Sequence, residues 1–196
     1  MTLSSALRRI GLKPSWLASG RRLLARHSWL ALLLCCLPAI ADKPLTLERL
    51  KVAYVFNFLK FTQWPQSKRP DSPVHLCLGN ADGDLHAAFT ALEGKRVQGH
   101  PIYLHRLGPK QSTTGCQVYY LRQGGIPVNL TQLRASQPDL LTIGDSESFV
   151  ADGGHIGLKA RAGHLQFEVN FPSLKQAQFQ ISAQLLQLAL NARTPS

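Results

Sequence analysis

The chain of 196 residues carries 22 Lys and Arg against 11 Asp and Glu, a formal charge of +11, with 44% hydrophobic and 17% charged residues. That balance excludes a disordered or low-complexity polypeptide and fits a globular protein. The positive excess gathers at the N-terminus rather than along one face of a domain, which argues against a nucleic-acid surface.

The first segment reads as an export address. Arg8, Arg9, Lys13, Arg21, Arg22 and Arg26 precede the apolar run Trp29 to Leu37, which is followed by Pro38 and the small-x-small triplet Ala39-Ile40-Ala41. Positive, apolar, then small is the order of a cleaved signal peptide, so residues 1–41 are expected to be removed before Asp42. The apolar run is shorter than the roughly 18 to 20 residues a membrane span needs. Six of the 22 basic residues and none of the 11 acids lie in this leader, which leaves +5 over the remaining 155 residues. Residues 42–196 suit a single domain in the periplasm, with no nucleic-acid partner.

Leu45 to Phe61 has helical periodicity, with Thr46 as N-cap and Glu48 in the first turn; Pro65 closes it. Leu47, Leu50, Tyr54, Phe58 and Phe61 form one apolar stripe. Val52, Val55, Phe56 and Leu59 form a second. A helix apolar on two sides either lies between the sheet and its neighbours or offers an interface, such as that of a homodimer. Val74 to Leu78 is a strand ending at Gly79. A helix follows from Asp84 to Leu92, stopped by Gly94. Ile102–Arg106 and Gln117–Leu121 are strands, Val128–Ala135 a helix, Leu140–Ile143 a strand, and Ser146–Val150 a helical turn.

His155–Lys159 and His164–Asn170 read as a hairpin turned at Arg161-Ala162-Gly163. Pairing Leu158 with Leu165 sets Ile156 opposite Phe167 and His155 opposite Glu168. Its polar face, His155, Lys159, Gln166, Glu168 and Asn170 with Arg161 at the tip, is either a water-facing strand surface or a contact site for a partner or small ligand. A final helix of about 18 residues from Ser173 buries Leu174, Ala177, Ile181, Leu185 and Leu188. The alternation predicts an α/β domain: a mostly parallel sheet, a C-terminal β-hairpin, and covering helices that include those at both chain ends.

Two cysteines remain after the leader, Cys77 and Cys116. In an exported protein a disulfide between them is expected. The rival is a metal site built from His75, Cys77, His105 and Cys116. No Gly-x-Ser-x-Gly, His-Glu-x-x-His, P-loop or Cys-x-x-Cys pattern occurs, so neither catalysis nor a cofactor is expected. A small-molecule sensor with a cleft near the strand ends at Gly79 and Gly144 is the alternative to a protein-binding role.

The run Leu50-Lys51-Val52-Ala53-Tyr54-Val55-Phe56-Asn57-Phe58-Leu59-Lys60-Phe61-Thr62-Gln63-Trp64-Pro65 resembles the opening of the YfiR-like periplasmic proteins. The resemblance continues through Cys77-Leu78-Gly79, Leu92-Glu93-Gly94, Gly115-Cys116-Gln117-Val118, Leu141-Thr142-Ile143-Gly144-Asp145, Phe167-Glu168-Val169-Asn170 and Ile181-Ser182-Ala183-Gln184-Leu185-Leu186. It implies an exported, non-enzymatic repressor that holds an inner-membrane diguanylate cyclase inactive through its periplasmic domain. An OmpA-like outer-membrane lipoprotein would relieve the block, and cyclic di-GMP and biofilm formation would follow. The resemblance also implies a homodimer, and it matches Cys77 and Cys116 to a long-range cysteine pair. A second, short-range pair near Ala151 and Leu158 is absent from this chain.

Overall fold

The computed structural model describes residues 46–65, 72–79, 83–109, 111–125 and 127–191, all within the compact unit Leu45–Ser196. The leader, its cleavage site and most of the Gln66–Pro73 loop lie outside the described residues. Helix α1 spans Leu47–Phe61, and the Thr46 hydroxyl accepts from the Arg49 N–H at 3.3 Å, as the cap residue predicts. Val52, Val55, Phe58 and Leu59 are buried, whereas Leu47 and Phe61 are 40% and 37% exposed.

This corrects one expectation. Val52, Val55 and Leu59 do not form a spare interface stripe, because they face the sheet and join its main apolar cluster. Phe56 alone of that set stays half-buried, with the Lys95 ammonium 5.6 Å from its ring centre. In the other stripe Leu47 and Phe61 point outward while Phe58 is fully buried.

After the two-residue strand β1 (Thr62–Gln63), the sheet strands are β2 (Val74–Gly79), β3 (Arg96–Val97), β4 (His100–Leu107), β5 (Val118–Leu121), β6 (Leu141–Gly144), β7 (Ile156–Arg161) and β8 (His164–Val169). Their order is β3-β4-β2-β5-β6-β7-β8, parallel from β4 to β7 and antiparallel at both edges. Helix α2 (Gly83–Phe89) runs into a 3-10 turn, Thr90–Leu92, and Gly94 takes φ 72° where a left-handed residue is needed. Helix α3 (Leu130–Ser136) is capped by Asn129, whose side chain accepts from the Gln132 N–H.

Alternation along the strands divides the core. Leu76, Leu78, Val118, Tyr120, Leu141 and Ile143 face α1 and α2, while Cys77, Tyr119 and Leu140 form a smaller cluster with Leu133 of α3. Cys77 and Cys116 are joined by a disulfide with their Cα atoms 5.9 Å apart, tying β2 to the approach to β5. With both sulfurs in that bridge, the rival metal set loses its thiolates.

The hairpin register differs from the expected one by two residues. Leu158 pairs with Phe167, Ile156 with Val169, Gly157 with Glu168 and Arg161 with His164. The turn is two residues long, Ala162 and Gly163, both at positive φ (46° and 80°). That tight geometry twists with the strands and brings Arg161 directly opposite His164. An even shift keeps every side chain on its expected face, so the apolar set stays together.

The C-terminal segment is not one helix of 18 residues. Helix α4 (Phe171–Gln176) ends at Gln178, which takes φ 58°. Strand β9 (Gln180–Ile181) pairs with β1, and Ser182 caps a short helix α5 (Ala183–Leu186). The break drives Phe179 into the core, where it meets Trp64 edge-on. It leaves Leu188, expected to be buried, 71% exposed.

The chain itself bonds to the outer strand β8 and to the part of β4 beyond β3. The Leu190 N–H donates to the Phe167 carbonyl, and the Asn191 side chain bonds both backbone groups of Val169. On the β4 side, Gly94 and Lys95 bond Ile102, and the Glu93 carboxylate accepts from the Leu104 N–H at 2.7 Å.

Candidate functional site

The residues expected to form an outer polar face share one side of the hairpin, but that side is largely covered. His155 is 1% exposed and Lys159 4%, Asn170 is half-buried, and only Arg161 and Gln166 are open. The cause is the segment Ser146–Asp152, which folds across the back of β7. Lys159 Nζ donates to the Glu147 carbonyl and pairs with the Glu168 carboxylate at 3.0 Å, while Arg161 pairs with the Glu147 carboxylate. Asn170 caps α4 by accepting from the Ser173 N–H at 3.1 Å. These side chains hold a third layer in place. Their disposition is that of a clasp.

The same segment fills the expected cleft at the strand ends. The Phe149 ring lies between two glycines: a Cβ at Gly144 or Gly154 would sit 2.3 or 2.2 Å from it. At Gly79 the ring of Tyr119 takes the corresponding space, with its hydroxyl oxygen 2.5 Å from an added Cβ. An open groove of about 440 Å³ remains beside Phe149, lined in part by Leu121, Gly124, Asn129 and Ser146.

His155 itself turns toward Thr142 of β6. Its Nδ1 accepts from the Thr142 backbone N–H at 3.2 Å and lies 2.9 Å from the Thr142 hydroxyl, which in turn accepts from the His155 N–H at 3.1 Å. A backbone N–H can only donate, so Nδ1 carries no proton and the neutral ring holds its proton on Nε2. Burial first, and the nearby Arg134 charge second, push its pKa from 6.5 down to about 3. The ring is therefore neutral across the ordinary pH range.

Among the described residues the buried Nε2–H has no partner, and the same is true of Arg134 Nε. Both residues line one cavity of about 300 Å³ between α3 and α4, with Thr131, Ala135, Ser173 and Ala177. Arg134 Nη1 donates to the Ser173 hydroxyl, which fixes the guanidinium. A buried donor left unpaired costs roughly 1–3 kcal/mol, more when charged, so such groups rarely occur without a purpose. Sequence reading noticed His155 but placed it on the hairpin's outside. It missed Arg134 and Ser173, since an Arg on a short polar helix carries no distinguishing signal.

Elsewhere on this face, His75 and His105 stack with Nδ1 and Nε2 2.6 Å apart. Among the described residues no group of three or more His, Cys, Asp or Glu is placed to hold a metal ion. Among the same residues no helix is long and apolar enough to cross a membrane.

In comparisons with known proteins, the model of the family described as YfiR/HmsC-like matches residues 48–190. No curated protein matches the chain.

Proposed function

The chain belongs to the YfiR/HmsC-like family, and from that membership we propose that it is a periplasmic regulator of cyclic di-GMP signalling that works by binding and not by catalysis. Its protein partner in this reading is the periplasmic domain of an inner-membrane diguanylate cyclase, which it holds inactive. An OmpA-like outer-membrane lipoprotein removes it from the cyclase, and the working form is a homodimer. The observation that carries the reading is the family match across the whole described α/β unit, from α1 to the residues that close the edge of β8. Two exposed apolar side chains close in sequence, Leu188 at 71% and Leu190 at 44%, offer a surface for a protein contact.

The test is affinity capture from envelope extract with the protein purified from the periplasm, joined to measurement of cyclic di-GMP in a deletion strain. Recovery of a membrane diguanylate cyclase and a rise in cyclic di-GMP on deletion are expected. An unchanged cyclic di-GMP level with no cyclase recovered would remove the regulatory reading.

A further inference from the structure

We propose that the cavity between α3 and α4 is a binding site for a small monocarboxylate, gripped by Arg134 and the Nε2–H of His155. Its chemistry lies beyond the protein-binding role and stands on the cavity alone.

Three features select the ligand. First, two residues that line the cavity carry buried donors with no acceptor among the described residues, the Nε–H of Arg134 and the Nε2–H of His155. The tautomer is fixed from behind by Thr142, so His155 offers a proton and cannot accept one. Second, Arg134 is the one formal charge among the lining residues, which suits a ligand of a single negative charge. Among the described residues no carboxylate lines the cavity to receive an ammonium group, which disfavours a zwitterionic amino acid. Third, Ala135, Pro138 and Ala177 supply apolar wall, and about 300 Å³ lies at the small end of ligand pockets. A carboxylate on a short aliphatic stub satisfies all three. Its oxygens take the two orphan donors, with a charge-assisted bond to the guanidinium, and its carbons lie on the alanines.

The serine contributes orientation. Arg134 Nη1 donates to the Ser173 hydroxyl, and Ser173 is buried at the first turn of α4 with its own N–H held by Asn170. The guanidinium is thus held by one corner, and its Nε–H has no partner among the described residues.

Propionate is the probe, followed by saturation-transfer NMR and titration calorimetry on the protein purified from the periplasm, with chloride at equal ionic strength as reference and inorganic phosphate as a second arm. We expect saturable propionate binding, no phosphate binding, and a loss of about tenfold or more in affinity for Arg134→Gln. Ala177→Leu, which fills the cavity and leaves both donors in place, should abolish binding while keeping the far-UV circular dichroism of the parent. If Arg134→Gln fails to fold, Ala177→Leu decides the matter. Absence of propionate binding at about 20 mM, binding of phosphate in its place, or propionate affinity unchanged by filling the cavity would each overturn the assignment.

Discussion

Lys51 on α1 and Asp145 just after β6 lie 94 residues apart in sequence, yet the ammonium and a carboxylate oxygen are 2.6 Å apart. The same oxygen accepts from the Tyr120 hydroxyl at 2.9 Å, and the other accepts from the Gln123 N–H. Asp145 is 4% exposed at its side chain and Lys51 14%, so the pair anchors the first helix to the carboxyl ends of the central strands.

Removing the carboxylate should therefore be costly. Asp145→Ala leaves a largely buried ammonium and a buried tyrosine hydroxyl without an acceptor, and the expected loss is about 3–5 kcal/mol in chemical denaturation. Asp145→Asn keeps an acceptor and should cost less. Equal losses in the two variants would show that charge is not what holds the helix.

The disulfide closes a loop of 39 residues in sequence separation. In the chain-entropy model it contributes about 4 kcal/mol. Cys77→Ser, or reduction, should lower the Tm by about 8–15 °C for a domain of this size. Two alkylatable thiols in the native, unreduced protein would refute the bridge.

Phe149 between its glycines makes a sharp steric prediction. Gly144→Ala places a methyl 2.3 Å from the ring, and about 1–3 kcal/mol of destabilisation is expected from overpacking. Phe149→Ala should be destabilising as well, yet the double variant should lose less than the sum, because removing the ring removes the clash. Additive losses would mean that the ring does not occupy that slot.

His155 should make the protein acid-sensitive. Its folded-state pKa of about 3 lies below the ordinary 6.5, so as pH falls the unfolded chain takes up the proton first. The stability associated with the neutral ring is complete above about 6.5 and drains away down to about 3, at no more than about 1.4 kcal/mol per pH unit. His155→Asn, which keeps an acceptor near the Thr142 N–H, should be less stable than the parent near neutrality and should close the gap on acidification. A stability difference that stays constant across that window would contradict the assignment.

Most of the α/β alternation was legible because each long element carried its own period. The Thr46 cap, the apolar strands and the glycine stop at Gly94 needed only local chemistry. What escaped reading was decided at a distance or by unusual backbone. Gln178 at positive φ breaks the C-terminal segment, and a glutamine gives no warning of it. Pairing Leu158 with Leu165 leaves four residues between Lys159 and His164, whereas Ala162 and Gly163 alone make the turn, which moves the register by two. Lys159 and His155 have polar side chains that suggest a wet face, and only the fold shows that Ser146–Asp152 and α3 come over to cover them. The candidate cavity draws on three separate stretches of chain, so no spacing rule could assemble it.

The sealing of β8 by Leu190 and Asn191 has a consequence for how this molecule meets others. With those carbonyl and amide groups already taken, a partner cannot simply extend the sheet by laying down a strand along that margin. Recognition has to run through side chains, and the terminal tail doubles as a guard against self-stacking. Shortening the polypeptide by a handful of residues before Leu190 would unmask a raw ladder and invite aggregates in place of specific complexes.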